Sequence, residues 1–406
     1  MTGAPAITVA SGRQVADAGA LTAEAYLADR LVAADEDYTT ELRDAERRAR
    51  EATLLVATVD GSDGAPVVVG TITLAPYGTS YAEIAEPGEL ELRMLAVAPE
   101  ARGRGVAESL MRAAMRQCVV AGARRLVLST LDAMTTAQRL YARLGFVARP
   151  ERDWGHVEIH LRVHTWTPPE APGALVESAT WPPVRVAVTA AGWRVGLSGG
   201  VTRRANSALP APTADVDAAV DEVEALYAAA GTPSIVRVDA SDAVIDRVLD
   251  ARGYRVAADT DVLVRSLSDD GPGPAHRRIH TSAAPDEAWL TTWLDVKKAD
   301  ADHAIATRVL LGAPADYLTA VVDGAPTGII RVAYSEDWAA LSCLVVRPAA
   351  RRAGLGRELT LRALAAARDR GARRAFLQVE AHNEAASRLY SGLGFQPADA
   401  YRYRER

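Results

Sequence analysis

Two short segments rich in glycine and arginine are the clearest sign of chemistry in this sequence of 406 residues. Residues 102–107 read Arg-Gly-Arg-Gly-Val-Ala, and residues 351–356 read Arg-Arg-Ala-Gly-Leu-Gly. Each follows a Val-x-Pro strand end and precedes a helix with apolar periodicity, where unpaired backbone N–H groups meet the positive end of the helix dipole. Glycine lets an anion approach that backbone, because no Cβ intervenes. The segments therefore predict a pair of phosphate-binding loops.

The loops lie inside a longer internal repeat. A shift of 249 residues aligns residues 94–146 with residues 343–395 without a gap, and 20 of these 53 pairs are identical. Each copy contains an apolar strand, the loop, an amphipathic helix, a second strand and a second helix that ends in Leu-Gly-Phe. A strand, a crossover helix and a second strand imply parallel pairing, so we expect an α/β (α+β) fold.

A weaker third copy is indicated between the other two. Residues 210–253 contain a helix, a strand and a second helix ending in Ala-Arg-Gly-Tyr, but they lack the glycine-rich loop. We interpret this segment as a degenerate unit without a phosphate site; an unrelated α/β insert is the alternative. The predicted organisation is a first domain over residues 1–165, a proline-rich linker over 166–182, the degenerate unit over 183–267, a linker over 268–277 and a second complete domain over 278–406.

The two loops resemble the acyl-coenzyme A site of the GNAT superfamily of N-acetyltransferases, whose motif is Arg/Gln-x-x-Gly-x-Gly/Ala. A second motif of that superfamily is matched by residues 137–141, Ala-Gln-Arg-Leu-Tyr, and by residues 386–390, Ala-Ser-Arg-Leu-Tyr. The resemblance covers nearly all of the two complete domains. It implies tandem GNAT folds, each a twisted mixed sheet with helices on both faces. The central parallel strands of each sheet would splay apart around the coenzyme.

The resemblance also implies an enzyme that transfers an acetyl group directly from acetyl-coenzyme A to a primary amine, without an acyl-enzyme or a metal ion. A side-chain amide at Asn383 would hold the pantetheine arm, whereas the first copy has Met134 there. This difference favours the C-terminal site as the principal catalyst. The other implied coenzyme-binding residues are Val97, Arg102, Gly103, Arg104, Gly105, Val106 and Ala107 in the first copy, and Val346, Arg351, Arg352, Ala353, Gly354, Leu355 and Gly356 in the second.

Tyr141 and Tyr390 match the tyrosine that protonates the departing thiolate in this superfamily. The chemistry is reasonable, because a phenol of pKa about 10 can donate to a thiolate whose thiol has a pKa of about 8.5. An aromatic side chain that only closes the helix against the sheet is the alternative interpretation.

The acceptor amine must lose a proton, so a base is needed. In the first copy Glu91 stands on the strand where many GNAT enzymes place a glutamate near the acceptor. The second copy has Ala340 at the aligned position. We therefore expect Glu380 to act there, with Glu336 and His382 as alternatives. An exposed strand carboxylate without a catalytic role is the competing interpretation.

Residues 181–406 resemble a narrower actinobacterial or mycobacterial GNAT family, which pairs a GNAT-like half with a complete domain and includes proposed N-acetylglutamate synthases. The segments that carry this resemblance are Trp-Pro-Pro at 181–183, Gly-Trp-Arg at 192–194, Thr-Arg-Arg-Ala-Asn-Ser-Ala-Leu-Pro at 202–210 and Tyr-Arg-Tyr-Arg at 401–404. The resemblance implies that Arg203 and Arg204 bind an acceptor carboxylate. Asn206 and Ser207 would complete the polar acceptor pocket.

The function predicted from these features is acetyl transfer to a primary amine of a small metabolite or an amino acid. N-acetylglutamate synthesis for arginine biosynthesis is one alternative. A second is acetylation like that of mycothiol synthase, another tandem GNAT protein, and a third is acetylation of a protein. The non-enzymatic alternative is an acetyl-coenzyme A sensor or scaffold.

Composition excludes several other classes. With 46 basic and 52 acidic residues the formal net charge is −6, so the chain lacks the positive excess that drives non-specific nucleic-acid binding. No apolar run approaches the ~20 residues that span a bilayer, and no signal-peptide pattern is present. His156, His160 and His164 alternate along one predicted strand about 13 Å apart, too far for one metal ion. We expect a cytoplasmic monomer or homodimer with no metal, nucleic-acid or membrane partner.

Overall fold

The computed structural model of the chain describes residues 5–31, 37–61, 64–156, 159–240, 242–267, 279–297, 303–322 and 324–406. The chain divides into two compact units, Met1–Pro168 and Pro169–Arg406. Each unit is built on its own sheet, with helices packed against it. No helix in these ranges is both long enough and apolar enough to cross a bilayer.

The first unit contains an eight-stranded sheet with the strand order β1-β2-β3-β4-β5-β8-β6, and β7 pairs with β8. Its elements are β1 (Ala6–Val9), α1 (Arg13–Ala28), α2 (Asp37–Arg43), α3 (Ala45–Glu51), β2 (Thr53–Asp60), β3 (Pro66–Pro76), β4 (Glu89–Val97), α4 (Val106–Val120), β5 (Arg125–Leu131), α5 (Thr135–Arg143), β6 (Val147–Ala148), β7 (Trp154–His156) and β8 (Ile159–Trp166).

The second unit contains an eleven-stranded sheet with the order β14-β15-β16-β17-β18-β13-β19-β12-β11-β10-β9. Its elements are α6 (Gly173–Thr180), β9 (Arg185–Val188), β10 (Arg194–Leu197), β11 (Ala208–Leu209), α7 (Val216–Ala230), β12 (Ile235–Asp239), α8 (Ala243–Ala251), β13 (Arg255–Ser266), β14 (Ile279–Ser282), α9 (Glu287–Lys297), α10 (His303–Leu311), β15 (Ala315–Val322), β16 (Ala325–Ser335), β17 (Trp338–Val346), α11 (Leu355–Asp369), β18 (Arg374–Glu380), α12 (Glu384–Ser391) and β19 (Gln396–Glu405).

The helix that follows each loop is held by the same apolar stripe. In α11, Leu359, Ala363 and Ala367 recur every four residues and are fully buried against the sheet, and α4 buries the aligned residues in the same way. A spacing of four places side chains on one face of a helix. Burying one leucine stabilises the fold by roughly 1.5–3 kcal/mol, so this stripe fixes where each helix begins relative to its loop.

The central parallel strands diverge in both units. The pair β4–β5 is hydrogen-bonded over Glu89–Leu92 and Arg125–Leu128, and the pair β17–β18 over Trp338–Leu341 and Arg374–Leu377. Both leading strands continue for five further residues, and the described residues show no ladder between the paired strands there. An open cleft therefore begins at the equivalent point of both sheets.

A bulge in the leading strand marks that point. Met94 in β4 and Cys343 in β17 have φ angles of 53° and 56°, which non-glycine residues rarely adopt. The neighbouring antiparallel registers shift at the same level, between Thr71 and Thr73 and between Ile329 and Arg331. A bulge turns backbone groups out of the ladder and bends the strand, so these residues open the cleft.

The second sheet interleaves strands from two segments of the sequence. β13, from the predicted degenerate unit, pairs antiparallel with both β18 and β19. β19, the last strand of the chain, pairs in turn with both β13 and β12. The sheet of residues 278–406 is therefore completed by a strand from residues 183–267, and the two segments share one hydrogen-bonded layer.

The structure confirms the predicted α/β (α+β) class with mixed sheets and helices on both faces. In the second unit, α9 and α10 pack on one face, and α11 and α12 pack on the other. Part of the predicted linker 166–182 forms α6. The predicted linker 268–277 lies outside the described residues.

Candidate functional site

Each glycine-rich loop ends in a left-handed glycine that opens a helix. Gly105 caps α4 with φ 80° and ψ 7°, and Gly354 caps α11 with φ 78° and ψ 1°. This conformation costs a residue with a Cβ about 1–2 kcal/mol. A Cβ on either glycine would meet no atom within 4 Å, so the space beside the helix start is open. The first amides of the helix have no helical acceptor, and they can bind an anion in that space.

The first arginine of each loop fixes the loop to the preceding strand. Arg102 Nε donates to the carbonyl oxygen of Val97 at 3.3 Å, and Arg351 Nε donates to that of Val346 at 3.1 Å. These four residues therefore lie at the two glycine-rich loops, and their contact with the coenzyme stays a prediction. Arg352 adopts a φ of 61°, at the position where the first copy has a glycine.

The remaining predicted loop residues lie at or just before the first turn of the helix that follows each loop. Val106 and Leu355 are the first helical residues, and both are buried against the sheet. Gly356 leaves room for Leu389 and Val346, which lie 3.7 and 3.8 Å from the position of its missing Cβ. The other predicted loop residues, Gly103, Arg104, Ala107 and Ala353, lie in the same two segments, at the open end of each cleft.

The two predicted acids lie in equivalent, buried positions. Tyr141 in α5 is 5% exposed, and Tyr390 in α12 is 8% exposed. Each ring packs against a phenylalanine, Phe146 at 5.9 Å and Phe395 at 5.8 Å between ring centroids. Burial raises the pKa of Tyr141 to about 12 and raises that of Tyr390 above its ordinary value. Both phenols are therefore protonated at neutral pH and can act as donors.

Glu91 is buried beneath the loop that precedes its own strand. It is 1% exposed, and its Oε2 accepts hydrogen bonds from the backbone N–H groups of Ile84 at 2.8 Å and Ala85 at 3.0 Å. Burial raises the pKa of Glu91, and the two backbone donors and Arg93 partly offset that rise. One carboxylate oxygen is thus committed to holding the loop in place.

The carboxylate proposed for the second copy is more accessible. Glu380 ends β18 on the cleft side with its side chain 49% exposed, and His382 Nε2 lies 3.3 Å from its Oε2. Glu336 lies instead in the turn between β16 and β17, at the end of β17 away from the glycine-rich loop. Of the three candidates, Glu380 and His382 therefore share the cleft end of the sheet.

The predicted amide Asn383 is the N-cap of α12. Its Oδ1 accepts from the backbone N–H of Ala386 at 3.1 Å, which leaves the NH₂ group as its outward donor. Met134, the aligned residue, caps α5 without a side-chain hydrogen bond. The second copy therefore presents an oriented amide at a position where the first presents a thioether.

The structure brings the predicted acceptor arginines to the C-terminal strands. Arg203 lies 3.9 Å from Glu380 and 3.5 Å from Glu405. The guanidinium of Arg204 stacks 4.6 Å above the ring of Trp181 and donates to the side chain of Gln378. Two arginines from the central segment thus border the strand that carries the candidate base.

Asn206 and Ser207 differ in what they leave free. The Asn206 amide accepts from the backbone of Ser198 and Gly200 at 2.8 and 3.0 Å and donates to two carbonyl groups at 2.8 Å. These four bonds exhaust its capacity, so the side chain shapes the 198–206 loop and has no group left for a ligand. Ser207 is buried and lines a cavity beside Arg204.

Sequence reasoning missed a buried polar network on this face of the second sheet. Glu177 in α6 forms a two-pronged ion pair with Arg237 of β12 at 3.0 and 3.1 Å. Gln378 donates to Glu177 and accepts from Arg204, which joins four elements of the unit. The proline-free run 173–181 inside the predicted linker was the one signal for α6.

The network borders a partly open cavity of about 20 Å³, close to the space that one water molecule needs. Burial raises the pKa of Asp399 beside it to about 6, and Arg237, at 3.6 Å, partly offsets that rise. The lining residues are Ala174, Glu177, Ser178, Trp181, Arg204, Ser207, Leu209, Arg237, Gln378, Tyr401 and Tyr403. Within the described ranges, no group of three or more His, Cys, Asp or Glu side chains could hold a metal ion.

Comparison with known proteins agrees with this geometry. A family model described as "Probable histone acetyltransferase Rv0428c C-terminal" matches residues 175–404, and one described as "Acetyltransferase (GNAT) family" matches residues 21–146. A search of the curated proteins gives no match.

Three solved structures are similar at low identity. A GCN5-related N-acetyltransferase from Kribbella flavida is 16% identical over 58% of this chain and 95% of its own, with a TM-score of 0.44. Another from Sphaerobacter thermophilus is 15% identical over 99% and 95%, with a TM-score of 0.33. A tandem GNAT protein from the clavulanic acid biosynthesis pathway is 17% identical over 99% and 98%, with a TM-score of 0.32.

Proposed function

Because the chain belongs to the Rv0428c C-terminal family and is a GNAT N-acetyltransferase, we propose that its second unit is the principal catalyst and acetylates a primary amine of a small metabolite or amino acid. The observation that carries this proposal is the cleft between β17 and β18, with an anion-binding loop at its open end and a buried phenol beside it. GNAT enzymes use acetyl-coenzyme A, and the open helix start at Gly354 suits its diphosphate.

The residues around the cleft can divide the proton transfers between them. The amine nitrogen attacks the thioester carbonyl carbon, a C–N bond forms, and the C–S bond breaks. Tyr390 donates its phenolic proton to the sulfur that leaves. Glu380, at the end of β18, takes the proton that the amine loses, directly or through one water. The separation of a buried acid from an exposed base suits these opposite tasks.

The acceptor side is bordered by charged groups of both signs. Arg203 and Arg204 can bind a carboxylate, while Glu380 and Glu405 can attract an ammonium group. An α-amino acid carries both groups, so this border supports an amino-acid acceptor, with L-glutamate as the first candidate. The description of the matched family favours a second candidate, a lysine side chain on a histone-like protein.

The test is acetyl-coenzyme A-dependent thiol release across a panel of amines. The panel holds L-glutamate, other amino acids, the cysteinyl amine that mycothiol synthase acetylates and a lysine-rich histone peptide. We expect the fastest turnover with an amino acid. Fastest turnover with the peptide would show that the acceptor is a protein lysine and not an amino acid, while the acetyl-transfer reaction itself would stand. Coenzyme binding without turnover on any amine would overturn the catalytic proposal in favour of a sensor.

Gly354→Glu should abolish acetyl-coenzyme A binding at the C-terminal site, because the new carboxylate would face the diphosphate. We would measure binding of the full chain by calorimetry. Gly371→Glu is the matched control, since Gly371 also has a positive φ of 86° and open space, but lies at the far end of α11. Equal losses of acetyl-coenzyme A binding in the two variants would show that backbone strain, and not the new charge, causes the loss. Unchanged binding in Gly354→Glu would show that this loop is not part of the coenzyme site.

A further inference from the structure

The coenzyme loop of the first unit already holds a counter-ion. The two terminal nitrogens of Arg102 donate to both carboxylate oxygens of Asp29, at 2.7 and 3.0 Å. Its Nε is used by the Val97 carbonyl. Three of the five N–H donors of this guanidinium are therefore engaged, and its charge is balanced by Asp29, while it lies at the predicted anion-binding end of the loop.

The second loop differs at this point. Arg351 makes the equivalent bond from Nε to Val346, and among the described residues no carboxylate lies within ion-pair distance of its other nitrogens. The two loops therefore share their backbone geometry, while one arginine is neutralised by a neighbour and the other keeps its charge available to an incoming anion.

The position of Asp29 makes separation of the Asp29–Arg102 pair unfavourable in free energy. Asp29 follows the last residue of α1, and its backbone N–H donates to Ala25 and Leu27. A carboxylate at the C-terminal end of a helix is repelled by the negative end of the helix dipole. Arg102 compensates that repulsion, so a ligand that draws Arg102 away leaves Asp29 in an unfavourable place.

We propose that Asp29 lowers the affinity of the first loop for the diphosphate of coenzyme A by competing for Arg102. The competition makes the two sites unequal, so that acetyl-coenzyme A fills the C-terminal site before the N-terminal one. This inference rests on the proposed function, since it takes both loops as coenzyme sites.

The experiment isolates the N-terminal site by using the full chain with Gly354→Glu. Calorimetric titration with acetyl-coenzyme A gives the dissociation constant of the remaining site, and Asp29→Asn should tighten it about fivefold, the contribution typical of an exposed ion pair. The gain should shrink at 1 M salt, where the screening length is about 3 Å. It should also vanish with acetylpantetheine, which has no diphosphate.

Asp17→Asn is the matched control. Asp17 lies on α1, the helix that Asp29 follows, and it pairs with Arg13 at 3.8 Å, so its removal should leave the affinity unchanged. Unchanged or weaker binding in Asp29→Asn would overturn the inference, the latter because the pair would then preorganise Arg102. A wild-type chain that binds no acetyl-coenzyme A would instead overturn the proposed function.

Discussion

Tyr390→Phe should lower kcat of acetyl transfer by about 10²- to 10⁴-fold, the usual contribution of a positioned proton donor. The dissociation constant of acetyl-coenzyme A should not change, because the ring still packs against Phe395 at 5.8 Å. Without the hydroxyl, the thiolate must leave unprotonated or take a proton from water. Thiol release under saturating amine and coenzyme measures this loss.

The pH dependence follows from the burial of the phenol. Burial raises the pKa of Tyr390, so the neutral donor persists through the alkaline range instead of ionising near pH 10. The wild-type rate should therefore show no alkaline fall below about pH 10 from this group. If the wild-type rate falls below about pH 10 and this fall is absent in Tyr390→Phe, Tyr390 is not a buried donor with a raised pKa.

Tyr141→Phe is the comparison that assigns the reaction to a unit. Tyr141 lies in the same packing environment in the first unit, so the two substitutions remove the same group from equivalent sites. We expect a much smaller loss from Tyr141→Phe, because the first unit lacks the Asn383 amide. A large loss from Tyr141→Phe alone would move the principal site to the first unit. No loss from either would remove tyrosine as the acid.

Glu177→Ala should destabilise the second unit by about 3–5 kcal/mol, because it leaves Arg237 charged and buried without its two-pronged partner. Arg237 is 4% exposed, and both of its terminal nitrogens contact the Glu177 carboxylate. Nearby Asp239 and Asp399, at 3.4 and 3.6 Å, lie farther away and compensate less. Denaturant unfolding of the full chain, followed through the transition of residues 169–406, measures the loss.

Glu170→Ala is the matched control for Glu177→Ala. Glu170 pairs with Arg374 at 2.7 Å, but its side chain is 78% exposed, so its removal should cost under about 1 kcal/mol. Equal losses of unfolding free energy in the two variants would show that the buried ion pair stabilises the unit no more than the exposed one does. The double variant Glu177→Leu with Arg237→Met should recover only part of the stability. It leaves neither member of the buried pair unpaired, but it removes the guanidinium that lies 3.6 Å from Asp399.

The sequence by itself determined the features that depend on neighbouring residues. The loops could be read directly, because the left-handed conformation at Gly105 and Gly354 is a local preference and the helix start that follows is local as well. The apolar stripe of each following helix and the buried tyrosine of each copy also repeat at fixed spacing. A duplicated strand-helix-strand pattern predicts the α/β class, because each copy checks the other, whereas the superfamily was indicated by the resemblance of the loops to the GNAT motif.

Only the tertiary structure decided which distant residues meet. The pairing of β13 with β19 joins two segments that lie far apart in the sequence. The sequence could not predict it, because hydrophobic periodicity indicates a buried strand but not which strand lies beside it. Asn206 is different, because its partners are local: expected to contact the acceptor, it bonds instead to the backbone of its own loop, whose conformation the residue types alone do not give. Glu177 meets Arg237, and Asp29 meets Arg102, across 60 and 73 residues. Which charged side chains form a pair depends on which elements pack together, and that packing is determined by the strand order of the whole sheet.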